Sequence, residues 1–579
     1  MKLRTWLAAI ALGSFFVLLR WNLYNQPLVR DEGEYAYAGQ LLKHGQLPYE
    51  KSFLQKPPMV AYSYALASLI APKTFWLPRI LAYACAAAAT LLLGWIAKTE
   101  FGNGAQWPVM WLVTPMLLLP GRDQATANTE MFMILPLVGT VAIYVFARNP
   151  RGSPAIPGRL DGQATWFAAG GLAAVTFWYK YTALPLLLVL FGAWAWEEFK
   201  VQSSRFKVEA TAPNSGEENK KTKSKASLKQ PGAGRSVLYG FAGAAIASLV
   251  IIGWFLFRDG GLRLWECTVV FNRYYAQSES FDSAGFFSWL KKFGTQWWIL
   301  LLLPLGLALK RRLNRLGFWL LMFVAAWIAT AMSHYGHYYI VVMPFWALLA
   351  GVGIHRVAVW LAPLVEPLKR LDAAAEASHR AEATVLMRED LETQDSTDGK
   401  CGTSRWFCVG STAVALLLMC WPDLRSICHA PRLIDFKALP PVLRGSEFVA
   451  HRVAELTSPQ DYVLVAGSEP QILSYANRFS PTRFIIMYPL MIPTPVAYKY
   501  QREAMGEIEN HRPALIVFTP ESGSWLRHTN TPPDFFRYLD YLLGHEYEPV
   551  GGYLPNGDWK EPLSREQIAT ASLQVYRKK

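Results

Sequence analysis

Between its first apolar run and its second long one, the chain carries the stretch RDEGEYAYAG from Arg30 to Gly39 and, shortly after it, QKPP from Gln55 to Pro58. Carboxylates and a lysine beside hydrocarbon cost free energy unless they are satisfied locally or take part in chemistry. This loop therefore predicts a functional site at a membrane surface.

The composition favours a membrane protein. Of 579 residues, 52% are hydrophobic and only 17% are charged, and the apolar residues gather in long blocks. The net charge of +14 comes from basic residues in short segments between these blocks, which is typical of cytoplasmic loops. We therefore expect a polytopic membrane protein whose partner is the lipid bilayer and not a nucleic acid.

Apolar windows of about 20 residues, the length that crosses the hydrocarbon, predict about eleven transmembrane helices. The run from Met59 to Ala71 is short for a crossing and follows two prolines, so we expect it to lie in the interface. The predicted spans are 5–23, 76–97, 106–121, 130–147, 164–179, 181–196, 236–257, 297–310, 315–332, 338–360 and 405–421.

The basic residues predict the orientation of these spans. Lys2 and Arg4 hold the N-terminus in the cytoplasm, and with an odd number of spans the basic segments 148–159, 200–235 and 310–315 fall on the same side. The C-terminus and the first loop, residues 24–75, then lie outside.

The chain divides into two domains by composition. Residues 1–421 form the transmembrane domain, with flexible cytoplasmic inserts at 200–235 and 361–404, and residues 422–579 form a soluble extracytoplasmic α/β domain. In that second domain we expect strands at 462–466 and 514–518 and helices around 496–510 and 533–543, which suggest a small, mostly parallel sheet.

Six cysteines are too few for a disulfide scaffold, and their spacing shows no zinc motif. Cys267 and Cys428 would face the oxidising side, where they could pair with each other or with Cys420, and the sequence leaves this open. We expect no catalytic cysteine.

Polar residues converge on the outward loops, as a single site requires. Each has a bland alternative: Asp31 and Glu34 fit a helix capping box, Lys56 could be an interfacial lysine, and the histidines could belong to a polar belt. Glu130 could favour a helix N-terminus, and Lys180 could cap a hairpin. The polar residues are Asp31, Glu32, Glu34, Lys56, Arg122, Asp123, Asn128, Glu130, Lys180, Asn272, Arg273, Tyr274, Tyr275, His334, His337, Tyr338 and Tyr339.

Together these motifs resemble a known family. Asp31-Glu32 and Tyr35, ahead of Gly45–Tyr49 and Gln55–Pro58, resemble the GT-C glycosyltransferases of the protein O-mannosyltransferase and aminoarabinose-transferase-like group, which is glycosyltransferase family 39/83-like. Further similarities are Glu130 after Asn128-Thr129, the Tyr179-Lys180 turn, His337–Tyr339 leading into Met343-Pro344, Ala347–Gly351, and Gly467–Gln471.

The resemblance implies a mainly α GT-C fold and an inverting transfer of a sugar from a polyprenyl-phosphate carrier to an acceptor hydroxyl outside the bacterial inner membrane. The acceptor would be a lipid, a glycan or a protein. Such a reaction needs one general base and fixed cations for the departing phosphate, but no strong general acid.

The resemblance also implies residue roles. Asp31 would be the base and Lys56 would bind the phosphate. Glu32 is the second catalytic candidate, and Glu32 and Glu130 would orient the acceptor or the sugar. A divalent cation, held by Asp31 and Glu130, is the one cofactor that the resemblance allows. The other substrate-binding candidates are Tyr35, Lys180, Arg273, His334, His337 and Tyr338.

Two other functions place charges beside a membrane. A transporter or flippase of lipid-linked substrates would carry repeated halves and interrupted spans, and the sequence shows neither. A non-catalytic envelope protein that presents the C-terminal domain would tolerate Asp31→Asn and Lys56→Ala.

Overall fold

The computed structural model describes residues 3–18, 26–72, 74–118, 126–148, 162–211, 233–278, 287, 313–330, 336–360 and 439–579. The predicted spans 297–310 and 405–421, the insert 361–404, and His334 lie outside these residues.

The N-terminal part of the described chain consists of helices joined by loops, the longest of which runs from 44 to 58. Short 3-10 segments at Tyr181–Ala183 and Gly336–Val341 and a π-helical turn at Glu266–Val270 interrupt the α-helices. The α-helices are α1 (Leu3–Leu18), α2 (Arg30–Lys43), α3 (Met59–Ile70), α4 (Leu77–Phe101), α5 (Gln106–Leu118), α6 (Thr129–Arg148), α7 (Gly162–Tyr179), α8 (Leu184–Thr211), α9 (Ala233–Phe257), α10 (Gly261–Trp265), α11 (Phe271–Ser278), α12 (Leu313–Thr330) and α13 (Met343–Trp360).

Within the described residues, five helical segments are long and apolar enough to cross a membrane: Leu77–Phe101, Thr129–Arg148, Tyr181–Lys200, Arg235–Phe257 and Met343–Trp360. Each coincides with a predicted span, so the chain is an integral membrane protein with a helical core. The short apolar run after the prolines forms helix α3, whose 12 residues are too few to cross a membrane.

Close packing between two of these helices depends on small residues. At Gly170 of α7, an added Cβ would lie 1.9 Å from the carbonyl oxygen of Gly240 in α9. Such an approach is open only to glycine and is common between membrane helices.

The C-terminal domain, residues 439–579 of the described chain, is an α/β unit. It packs helices on a five-stranded sheet of order β1-β2-β5-β3-β4. Its strands are β1 (Val463–Ala466), β2 (Leu515–Phe518), β3 (Tyr547–Tyr553), β4 (Trp559–Lys560) and β5 (Leu573–Lys578), and its helices are α14 (Pro441–Leu456), α15 (Gln471–Ala476), α16 (Tyr488–Met491), α17 (Ala497–His511), α18 (Asp534–Tyr541) and α19 (Arg565–Thr570).

The expectation of a mostly parallel sheet is wrong. Only β1 and β2 run parallel, and the pairs β2–β5, β5–β3 and β3–β4 are antiparallel. The alternation of strand and helix holds for the first two strands, which are at their predicted places. After α18, β3 and β4 form a hairpin, and β5 then crosses back to lie between β2 and β3, of which the sequence pattern gave no sign.

Helix α2 lies between the membrane helices and the C-terminal domain. Tyr37 and Leu41 pack into the apolar core of that domain, whereas Tyr35 and Ala38 pack into the core of the membrane helices. At Gly33, an added Cβ would lie 2.4 Å from the backbone nitrogen of Gln471, so a glycine is needed where α2 meets α15.

Hydrogen bonds join the two parts along this helix. Ser474 donates to the carbonyl oxygen of Gly33 at 3.0 Å, and Gln40 donates to the carbonyl oxygen of Ser474 at 2.9 Å. The domain is therefore docked directly on the first loop, which brings its surface close to Asp31.

Cys85 and Cys267 are free thiols. Cys267 is buried in the π-helical turn, where its sulfur accepts a hydrogen bond from Arg483 at 3.4 Å. Cys420 and Cys428, the two cysteines with which the sequence leaves a pairing open, lie outside the described residues.

Candidate functional site

A cavity of about 690 Å³ lies between the membrane helices and the C-terminal domain. Its walls combine the start of α2, the QKPP segment, the residues before α6, the turn after α7, helix α11 and the Gly336–Val341 turn. The polar side chains that line it include Arg30, Asp31, Lys56, Asn128, Lys180, Asn272, His337, Tyr338, Tyr488 and Glu521.

Asp31 occupies the second position of α2 and lines the cavity. The expected capping box from Asp31 to Glu34 is wrong, because the helix begins two residues earlier than that cap requires and Val29 is its N-cap residue. Glu32 accepts the Val29 amide proton at 3.3 Å instead. The Asp31 carboxylate is therefore not used as a helix cap.

Lys56 lines the same cavity, and its ammonium lies 5.8 Å from the centre of the Tyr338 ring. Burial alone would lower the pKa of Lys56, but Tyr338, Asp31 and nearby glutamates raise it above its ordinary value. Lys56 therefore carries its positive charge at neutral pH, partly buried and facing Asp31.

A second cation lies beside Tyr338. The ammonium of Lys180 forms an ion pair with Glu130 and lies 2.9 Å from the centre of the Tyr338 ring. His337 is buried, and its ring stands perpendicular to that of Tyr338 at 4.6 Å. Two ammonium groups thus lie near the Tyr338 ring, a concentration of positive charge that suits an anion such as a phosphate.

Glu32 points away from the cavity. Its fully buried carboxylate pairs with Arg79 of α4 and accepts the Ala127 amide proton at 2.8 Å. Arg79 also donates to the carbonyl oxygens of Gln26 and Pro27, at 2.5 and 3.0 Å. This pair ties the first loop to two membrane segments, so the geometry favours an anchoring role over the catalytic one that the sequence suggested.

The remaining predicted residues divide between the core and the surface. Tyr35 is buried against Tyr64, with ring centres 5.7 Å apart, and it does not line the cavity. Arg273 is exposed on α11 outside the cavity, although its neighbours Asn272 and Tyr275 line it. His334 lies outside the described residues.

Glu34 is the third acid of the stretch, and it is buried behind the cavity wall. Its side chain accepts the amide proton of Gln55, and burial raises its pKa to about 8, with Asp31 adding to the rise and Lys56 opposing it. Near neutral pH, Glu34 is therefore a largely protonated neighbour of both Asp31 and Lys56.

The expected divalent cation finds little support in these side chains. Glu130 is engaged by Lys180, and the described part of the chain contains no group of three or more His, Cys, Asp or Glu side chains placed to hold an ion. We therefore derive no step through a metal.

The C-terminal domain closes the cavity at Arg30. The Arg30 guanidinium pairs with the buried Glu469 at 2.8 Å and donates to the carbonyl oxygen of Gly523 at 2.8 Å. Burial raises the pKa of Glu469, and the charge of Arg30 opposes that rise. Ser524 donates to Glu469 at 2.5 Å, so the Glu469 carboxylate is bound by Arg30 of α2 and by Ser524 of its own domain.

Sequence reasoning missed the partner of Glu32 and part of the cavity wall. Arg79 carried a signal, since it is a cation at the start of an apolar run that follows an acidic loop. Tyr488 and Glu521 carried none, because only the docking of the C-terminal domain brings them to the cavity.

The comparisons with known proteins give the fold. The chain is similar to the crystal structure of ArnT from Cupriavidus metallidurans bound to undecaprenyl phosphate, with 14% identity over 98% of this chain and 97% of that one, at a TM-score of 0.55. It is also similar to the apo state of the same protein, with 13% identity over 99% and 98% of the chains, at a TM-score of 0.52. No protein-family model and no curated protein sequence matches the chain.

Proposed function

Because the chain has the GT-C fold of ArnT along its whole length, we propose that it is an inverting glycosyltransferase that moves a sugar from a polyprenyl-phosphate carrier to an acceptor hydroxyl. The observation that carries the proposal is the meeting of Asp31, Lys56 and Lys180 at one cavity. A carboxylate opposite two ammonium groups suits an alcohol that loses a proton and a phosphate that gains charge.

In the proposed reaction, Asp31 takes the proton of the acceptor hydroxyl as its oxygen attacks the anomeric carbon. The bond from that carbon to the phosphate oxygen breaks on the opposite side, which inverts the configuration. The products are the glycosylated acceptor and the polyprenyl monophosphate, and the proton stays on Asp31 until it passes to water.

The two lysines would stabilise the leaving group. The phosphate gains negative charge as the bond breaks, and a cavity shielded from water strengthens its attraction to Lys56 and Lys180. Glu130 would hold Lys180 in place, and the Tyr338 ring lies near both ammonium groups. His337 is the neighbouring group that could donate to a phosphate oxygen.

The site would face the outside of a bacterial inner membrane, with the N-terminus in the cytoplasm. The basic segments between the predicted spans support this orientation. The acceptor would be a lipid, glycan or protein hydroxyl that enters beside the C-terminal domain, at the rim formed by Arg30 and Glu521.

The test supplies the purified full chain with a panel of undecaprenyl-phosphate sugars and follows sugar release or transfer by mass spectrometry. We expect at least one donor to be consumed and undecaprenyl phosphate to accumulate in equal amount. A chain that leaves every donor intact, or an Asp31→Asn variant as active as the parent, would contradict the proposal.

A further inference from the structure

The peptide groups around Lys56 are held by side chains and not by regular secondary structure. The Tyr49 hydroxyl donates to the carbonyl oxygen of Lys56 at 2.9 Å, and Asn272 Nδ2 donates to the carbonyl oxygen of Gln55 at 2.8 Å. Glu34 accepts the amide proton of Gln55. Three successive peptide groups are thus each held by one side chain, which restricts where the Lys56 ammonium can point.

Tyr49 is the most unusual member of this set. Its φ of 72° lies in the left-handed region that non-glycine residues rarely adopt. The side chain is fully buried, and its ring packs against Phe255 at 5.4 Å. A glycine would adopt this backbone conformation at a lower cost. We therefore attribute the presence of a tyrosine here to the contacts that its side chain makes.

The Tyr49 hydroxyl can act only as a donor to Lys56. Burial raises its pKa well above the usual value, so the phenol keeps its proton. Tyr49 does not line the cavity. It can therefore affect a ligand in the cavity only by changing the positions of neighbouring residues.

Asn272 connects the same loop to helix α11. Its amide group donates a second hydrogen bond to the carbonyl oxygen of Thr268, in the π-helical turn, at 2.8 Å. That turn is braced by the C-terminal domain, because Arg483 pairs with Glu266 at 3.3 Å. The carbonyl oxygen of Arg483 also accepts the Phe53 amide proton at 2.6 Å, three residues before Lys56.

We infer that Tyr49 and Asn272 are positioning residues for Lys56, which fix the loop so that the ammonium faces the phosphate of the carrier. The inference rests on the proposed function, since it assigns the phosphate to Lys56. It makes the C-terminal domain part of the phosphate site, through the contacts of Arg483 with the loop and with the π-helical turn.

The chain offers a matched control for Tyr49. The Tyr62 hydroxyl also donates to a backbone carbonyl, that of Ile251 at 2.7 Å, and its ring also lies near Phe255, at 6.2 Å. Tyr49→Phe and Tyr62→Phe therefore remove the same group from similar surroundings, and only the first touches the Lys56 peptide.

The test measures binding of undecaprenyl phosphate to the purified full chain in detergent. We expect Tyr49→Phe to weaken binding by about 5- to 20-fold, as loss of one hydrogen bond to a positioned group would, with Tyr62→Phe within about twofold of the parent. Asn272→Ala should weaken binding in the same direction, and it keeps the test available if Tyr49→Phe fails to fold.

A double variant separates positioning from general stability. In a Lys56→Ala background, Tyr49→Phe should cause no further loss of binding, because its effect passes through the ammonium. An equal additional loss there, equal losses in the two tyrosine variants, or parent-like binding by both Tyr49→Phe and Asn272→Ala would overturn the inference and leave the proposed function intact. A parent chain that does not bind undecaprenyl phosphate would overturn both.

Discussion

The cavity wall and the anchor beside it use neighbouring acids in opposite ways. Asp31 lines the cavity with Lys56, whereas Glu32 is buried in an ion pair with Arg79. Successive residues on a helix point about 100° apart, so adjacent acids face different surroundings. An acidic pair at a membrane surface can therefore place one carboxylate in a cavity and bury the other in an ion pair.

The largest expected effect is the loss of sugar transfer when the Asp31 carboxylate is removed. Asp31→Asn should lower sugar transfer by about 10²- to 10⁴-fold, because the amide cannot take the acceptor proton. Thermal stability should change little, since the side chain lines a cavity and does not cap the helix. The measurement is initial rate by mass spectrometry beside a melting curve.

Glu50→Gln is the control for that experiment. It removes a carboxylate from the same loop at a position that does not line the cavity. A similar loss of rate in both variants would show that the charge of the loop, and not the position of Asp31, matters.

The anchor should respond in stability. Arg79→Met leaves the Glu32 carboxylate buried without its cation, which should cost about 3–5 kcal/mol of unfolding free energy. Adding Glu32→Gln to that variant should recover part of the loss, because the unpaired charge is gone. Denaturation in detergent, with donor cleavage measured per folded protein, tests both statements.

The anchor interpretation would be wrong in one outcome. If the double variant were as stable as the parent but lost donor cleavage as severely as Asp31→Asn, Glu32 would have a catalytic role despite its distance from the cavity wall.

The sequence predicted the membrane class, the long helices and the QKPP loop because apolar periodicity and charged residues beside hydrocarbon are local signals. It also placed Asp31, Lys56, Lys180, His337 and Tyr338 on one face, and the structure brings them to one cavity. The sequence did not predict the directions in which these side chains point. A shift of two residues in the start of α2 makes Val29 the N-cap residue instead of Asp31, and helix starts are the least reliable part of a sequence prediction.

The sequence also did not predict the contacts between distant segments of the chain. The pairing of Arg79 with Glu32, the docking of α15 on Gly33 and the antiparallel half of the sheet all join residues far apart in the chain. Each depends on how elements pack after they form, and no local pattern records that.

The docking surface at Gly33 should show a smaller effect than the anchor. Gly33→Ala places a methyl group against the backbone of Gln471, so α2 and α15 must separate, at a cost of about 1–3 kcal/mol. Gly506→Ala in α17 is the control, since nothing lies within 4 Å of its added Cβ, and helix propensity favours alanine there. Hydrogen exchange at α15 should rise in the first variant alone, and unchanged exchange would contradict the tight contact.

The pH dependence of stability depends on Glu34, the acid that belongs to neither region. Its pKa is raised to about 8 in the folded chain from an ordinary value of 4.5, so the folded state binds a proton more tightly than the unfolded state. Stability from this group is therefore complete below pH 4.5 and is lost as pH rises toward 8. Melting curves between pH 5 and 8 should show a downward slope that Glu34→Gln flattens, since the amide cannot ionise. If the slope persists in that variant, a group other than Glu34 titrates in this pH range, and the prediction for Glu34 is wrong.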